Sequence, residues 1–349
     1  MQTSAVHAIP SALGAEEELW RQRVGPFAWG PRVMREAGVD PALALAPAGL
    51  DETAFAVPEN TIPYAAMGRF LHGAAQLTGW EHFGLRVGQG SDLKSLGLLG
   101  ELMRHSSTVR EALRYLMVYH HLNSQGGAAF MHEEGAVAEL GYAIYHRSVV
   151  GRRQLAYATL AMGVSYMREL CGRAWVPTEV IFAHAAPADA SPFRGLFRCP
   201  VRFNAERNAL CFPRHWLDLL LPGADAAMLR KLEAQANALP QPDLVDKLRR
   251  SLRVRLLHRV TTGDDVAEML ALHRRTLNRR LQALGTTFRE VLEDVRFDAA
   301  CDLLASTELT LEAIADALGY ASVSPFTRAF RRRVGVAPGQ WRRDGPAQP

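Results

Sequence analysis

The chain predicts an α+β domain followed by an all-α domain of two helix-turn-helix motifs joined by a long helix. Three observations carry that expectation. Helical stripes and alternating apolar segments mix up to about residue 213, whereas from Leu244 onward helical periodicity is nearly continuous, with Gly and Pro only at punctuation points. A pattern of short helix, tight turn and Arg-rich helix occurs twice, at 266–284 and 314–334. Residues 245–343 hold 18 Lys/Arg and 12 Asp/Glu, a balance of +6. That leaves 22 basic and 24 acidic residues of the chain's 40 and 36, a balance of −2.

In order, residues 1–18 read as a loose leader and 19–220 as the α+β domain. Within it, 61–78 reads as a helix with Met67, Phe70, Leu71 and Ala74 on one stripe. Thr108 and Glu111 have the spacing of a capping box, so a helix is expected over 109–120. Residues 136–144 alternate as a strand does, 151–170 form a long helical stretch, and 179–183 and 207–212 read as short strands. Residues 221–243 form a connector: Pro222-Gly223 breaks the chain, an Ala-rich helix covers 224–238, and Pro240 and Pro242 end it. The all-α domain spans 244–343, and 344–349 is a tail.

Composition narrows the function classes. With 349 residues, 48% of them hydrophobic and 22% charged, the chain can fill two cores, and wholesale disorder is excluded. Cys171, Cys199, Cys211 and Cys301 form no C-x-x-C pair and suit neither a zinc site nor a disulfide framework. Neither a basic start with an apolar core nor an apolar run near ~20 residues is present. A cytoplasmic protein without metal, cofactor or membrane partner is expected. The concentration of positive charge in the last third is the footprint of a nucleic-acid-binding module.

The second repeat is the sharper. Thr310 is placed to cap a helix that buries Ile314, Ala315 and Leu318. Gly319 follows where a left-handed residue is needed. Ser322 is placed to cap the next helix, which buries Phe326 and Phe330 and presents Ser324, Thr327, Arg328, Arg331 and Arg332. In the first repeat, Asp264 or Asp265 caps a helix burying Val266, Ala267 and Leu270. After a turn through Ala271, Leu272 and His273, the next helix buries Leu277 and Leu281 and presents Arg274, Arg275, Asn278, Arg279 and Arg280. Gly285 ends it. Arg and Asn are suited to guanine and adenine edges in the major groove of double-stranded DNA. Between the repeats, a Thr287/Glu290 capping box starts a helix that runs to about Ala305. At 1.5 Å per residue it is roughly 27 Å long, against roughly 34 Å between successive major grooves.

These segments resemble the AraC/XylS family of bacterial transcription regulators. VAEMLALHRRTLNRRLQALG, TTFREVLEDVRFDAACDLLA and LTLEAIADALGYASVSPFTRAFRRRVGVAPGQWRR carry the likeness. Its sharpest part is Leu318-Gly319-Tyr320, Phe326, Arg328-Ala329-Phe330, Gly335, Pro338 and Trp341-Arg342. The resemblance implies base contacts from Arg275, Asn278 and Arg279, and from Val323, Ser324, Thr327 and Arg328, with Arg274 and Arg331 beside them. His273 stands where a capping Ser is usual, which implies a less firmly started recognition helix. Val323 offers no hydrogen bond, which implies phosphate or methyl contacts there. The N-terminal region is similar to the arabinose-binding type of domain in one branch of the family. Ala37-Gly38-Val39-Asp40-Pro41, Ile62-Pro63, Leu85-Arg86-Val87-Gly88 and 96–100 carry that likeness. It implies a small-molecule effector, a homodimer, and action on RNA polymerase as an activator.

Other constellations are set aside. His105, His120, His121, His132 and His146 include no H-E-x-x-H pair. Gly88-Gln89-Gly90 lacks the third glycine of a dinucleotide fingerprint and reads as a turn. Tyr115, Tyr119, Tyr142, Tyr145, Tyr157 and Tyr166 are either pocket lining or core aromatics with a polar tip. No acid–base or nucleophile set points to an enzyme. An architectural DNA-binding protein with little sequence preference stays open beside the sequence-specific regulator.

Overall fold

A two-stranded ribbon opens the described chain: β1 (Arg21–Arg23) pairs antiparallel with β2 (Thr61–Pro63), setting Gln22 opposite Ile62. The computed structural model describes residues 20–146, 149–256, 266–267, 270 and 272–344. The expected leader, the caps at Asp264 and Asp265, Ala271, and all of the tail but Asp344 lie outside the described residues.

Between these strands runs α1 (Gly30–Glu36). After β2 come α2 (Tyr64–Thr78), α3 (Phe83–Gln89), α4 (Leu98–Arg104) and α5 (Val109–Tyr119). The helix expected to begin at 61 begins at Tyr64. Ile62 precedes a proline, which pushes it out of the α region, and Pro63 itself is extended at ψ 135°. The predicted stripe of Met67, Phe70, Leu71 and Ala74 is wholly buried. Thr108 caps α5 by accepting from the Glu111 N–H at 3.2 Å, but the Glu111 carboxylate turns back to the Ser107 N–H and hydroxyl.

Helix α6 (Arg152–Cys171) is the axis of this domain. Glycines let α3 lie against its backbone: a Cβ on Gly84 would sit 2.2 Å from the Gln154 carbonyl oxygen, and one on Gly88 2.2 Å from that of Ala158. Gly88 and Gln89 are therefore the last residues of a packed helix rather than a turn.

Five strands form one sheet in the order β3-β4-β7-β5-β6. They are β3 (Gly127–Glu134), β4 (Val137–Ile144), β5 (Glu179–Ile181), β6 (Val201–Arg202) and β7 (Ala209–Pro213), and only the β5–β6 pair is parallel. Strand β3 escaped the sequence reading because Gly127–Glu134 shows no clean apolar alternation. A short helix, α7 (Ser191–Phe197), lies between β5 and β6. Alternation sends Leu140, Val180, Leu210 and Phe212 into the main core. The opposite side carries Phe130, Ala143, Ile181, Ala209 and Cys211.

Helix α8 (Ala226–Ala238), within the expected connector, docks on the first domain. Leu229 and Ala236 join its core, and the Tyr119 hydroxyl donates to Asn237 Oδ1 at 2.9 Å. Next come α9 (Leu244–Leu256), α10 (Arg274–Ala283), α11 (Phe288–Ser306), α12 (Leu311–Ala317), α13 (Val323–Val334) and α14 (Pro338–Asp344). Helix α11 serves two small cores. Val291 and Val295 pack with Leu248, Leu252, Leu277 and Leu281, while Ala300, Leu303 and Leu304 pack with Ile314, Leu318, Phe326 and Phe330. Among the described residues, no helix is long and apolar enough to cross a membrane.

Candidate nucleic-acid interface

Helix α10 buries Leu277 and Leu281. That geometry leaves Arg274, Arg275, Asn278, Arg279 and Arg280 exposed on its outer face. His273 occupies the cap position, and its Nδ1 accepts the Arg275 N–H at 3.3 Å, so an imidazole fills the place of the usual hydroxyl. Gly285 closes the motif at φ +74°.

Helix α13 buries Phe326 and Phe330, whose rings stand edge to face 6.0 Å apart. Ser324, Arg328, Arg331 and Arg332 are exposed, and Val323 and Thr327 are half-buried. Ser322 occupies the cap position, but its side chain makes no capping bond. Before the turn, the Thr310 hydroxyl accepts the Ala313 N–H at 3.2 Å. Gly319 takes φ +71°, where a β-carbon is costly.

The turn is held from outside the motif. Arg296, on α11, donates from Nε to the Leu318 carbonyl at 3.0 Å and from Nη2 to that of Gly319 at 3.2 Å. Its guanidinium also lies 4.9 Å from the Tyr320 ring centroid. Burial raises the Tyr320 phenol, chiefly through desolvation, so the ring stays neutral beneath the cation. Sequence reasoning missed this staple. The only signal was an Arg on the linking helix, and that face could be placed only once the helices were packed.

Charge is distributed unequally over the exposed face. Arg333 pairs with Asp294 and packs over Phe297. Arg275, Arg279, Arg280, Arg328, Arg331 and Arg332 make no ion pair among the described residues. Two helix faces therefore offer these six guanidinium groups, unpaired among the described residues, and the 19-residue α11 joins them.

Residues 38–221 match the family described as the arabinose-binding domain of AraC transcription regulators, N-terminal, and 266–344 match a helix-turn-helix domain family. An HTH-type transcriptional regulator of Mycobacterium tuberculosis is 31% identical over 330 residues, covering 90% of this chain and 94% of the relative. The chain belongs to the AraC family of transcription regulators. The ornithine utilization regulator of Pseudomonas aeruginosa is 28% identical, covering 82% of this chain and 85% of its own. Among solved structures, the transcriptional regulator CdpR from Pseudomonas aeruginosa aligns with 91% of this chain and 98% of its own, at 21% identity and TM-score 0.43. This family member is a DNA-binding transcription regulator and not an enzyme.

The histidines do not gather. Among the described residues, no group of three His, Cys, Asp or Glu side chains is placed to hold a metal ion. Burial depresses His120 to about 3 and His121 to about 4, so both are neutral core groups. The six tyrosines also separate. Tyr142 and Tyr166 line a small cavity, Tyr115 and Tyr119 face α8, Tyr145 sits edge-on to Trp20, and Tyr157 packs among Phe182, His184 and Phe193.

Proposed function

We propose that this regulator binds promoter DNA sequence-specifically as a homodimer, and that a small molecule held by residues 19–220 changes transcription, as activation through RNA polymerase in the cytoplasm. Arg274, Arg275, Asn278 and Arg279 enter one major groove. Val323, Ser324, Thr327, Arg328 and Arg331 enter the next. The single observation behind this reading is the pair of exposed helix faces on which Arg275, Arg279, Arg280, Arg328, Arg331 and Arg332 make no ion pair among the described residues, one at each end of α11. Unpaired guanidiniums on a helix face suit bidentate bonds to guanine or charge-assisted bonds to phosphate. Val323 and Thr327, half-buried at the start of α13, suit thymine methyl contacts.

The test is sequencing of genomic fragments retained by the purified protein at near-physiological salt, with and without cell extract as an effector source. The expected result is a few sites, each with two short blocks about one helical turn apart. Diffuse recovery under both conditions would overturn sequence-specific recognition and favour an architectural role.

A further inference from the structure

Helix α11 joins the two recognition helices, yet it has few groups of its own to offer DNA. Its 19 residues include two arginines, Arg289 and Arg296, and no lysine. Arg296 is spent on the Leu318 and Gly319 carbonyls. Arg289 points outward: its side chain is 83% exposed, and its Nε donates to Glu293 Oε1 at 2.9 Å. That pair is weakly held. Arginine stands N-terminal to its glutamate, which is the poorer order for an i, i+4 pair on a helix. Arg289 also lies in the first turn of α11, where the helix dipole disfavours a cation. Local stability therefore does not account for an arginine at this position.

Its place between the readers does. Two grooves flank α11. In one, the start of α11 faces the stripe of Arg274, Asn278 and Gln282 on α10. In the other, α11 faces Arg328 and Arg332 on α13. Arg289 lines both grooves, and no other described residue does. It stands between the two recognition helices, beside the residues that each of them exposes.

The shape of a duplex dictates what meets a group placed there. On one face of B-DNA, two successive major grooves are separated by a minor groove about 6 Å wide. A·T-rich sequence narrows that groove and deepens its negative potential, which attracts an inserted arginine. We propose that Arg289 enters the minor groove between the blocks read by α10 and α13. The protein thereby selects an A·T-rich spacer that neither recognition helix touches. The guanidinium exchanges Glu293 for the adenine N3 and thymine O2 acceptors, whereas the 2-amino group of a G·C pair obstructs it. The proposal rests on the reading that α10 and α13 enter successive major grooves.

The test measures equilibrium binding of the full-length protein at near-physiological salt. The duplexes carry both blocks of a recovered site and differ only in the base pairs between them. The spacers are A·T, G·C, or inosine·C, which keeps the acceptors of G·C in the major groove and lacks the 2-amino group in the minor groove. The wild type is expected to bind the A·T and inosine·C spacers alike, and the G·C spacer roughly fivefold or more weakly. Arg289→Ala binds all three equally and keeps its discrimination within the blocks, which a misfolded variant could not do. Glu293→Gln binds the A·T spacer about 2–5-fold more tightly than the wild type, the equivalent of one surface ion pair. An undiminished spacer preference in Arg289→Ala overturns the proposal, and so does a wild type indifferent to the spacer. Equal weakening of Arg289→Ala on all three, with a salt slope lower by about one, also overturns it and makes Arg289 a phosphate contact. Duplexes with scrambled blocks separate the two readings. If scrambling leaves wild-type affinity unchanged, the double reader fails and the spacer contact with it. If scrambling abolishes binding while the spacer has no effect, the double reader stands and the minor-groove contact alone falls.

Discussion

Single side chains in this protein are placed by what their neighbours leave over. Arg333 is spent on Asp294 and Arg296 on the turn carbonyls, whereas Arg279 and Arg328 stand exposed with no ion pair among the described residues. Substituting Arg279 or Arg328 by Ala is expected to cost about 1–3 kcal/mol of binding at its own base pair and to relax specificity there. Competition between operator variants carrying each base at that position checks it. Uniform weakening across all variants would instead make the residue a phosphate contact. Which side chains stand exposed on α10 and α13 was legible in the sequence. That Arg296 and Arg333 are withdrawn from the face was not, because both withdrawals depend on residues at least 22 positions away.

Whole elements were legible wherever local rules act alone. The Thr287/Glu290 box is present in both directions, and Gly285, Gly319 and Gly335 are all left-handed. Elements were misread where a neighbour overrode the local pattern. The ribbon took Thr61–Pro63 from the helix, and α6 turned Gly88 into a packing contact. Gly319→Ala tests the local rule in the second motif. Alanine at φ +71° is strained, and its Cβ would stand 3.3 Å from Arg296 Nη2. A loss of about 1 kcal/mol in chemical denaturation is expected, with DNA affinity falling as the α12–α13 angle loosens. Unchanged stability would mean that Arg296, rather than glycine, holds the turn.

At the scale of the molecule, the two domains meet along one side of the sheet. Val254 of α9 packs on the side that carries Phe130, Ile181 and Cys211. The Ala185 N–H donates to the Ser306 carbonyl at 2.9 Å, and the Glu308 N–H to Asn204 Oδ1 at 3.1 Å. The buried histidines with depressed values all lie in the first domain: His120 at about 3, His121 at about 4 and His184 at about 4, each chiefly through desolvation. Folding holds them neutral, whereas the unfolded chain takes up these protons near pH 6.5. Their contribution is complete above about pH 6.5 and is lost as pH falls from there towards 4 and 3. Calorimetry on acidification should therefore show the first domain melting ahead of the helix-turn-helix domain. A single transition falling as one unit would mean that the interface, not the histidines, limits stability.

The sequence by itself determined the two-part architecture, the repeated motif and the residue types exposed on α10 and α13. Caps, glycine turns and helical stripes are short-range effects that act within a few residues. Only the tertiary structure decided that α8 docks on the first domain, that Arg296 staples the second turn, and that Arg152, Arg253 and Asp302 meet across a cleft. Arg152 and Asp302 lie 150 residues apart in the chain. No periodicity spans that distance, so their meeting is set by how the sheet packs on α9 and α11.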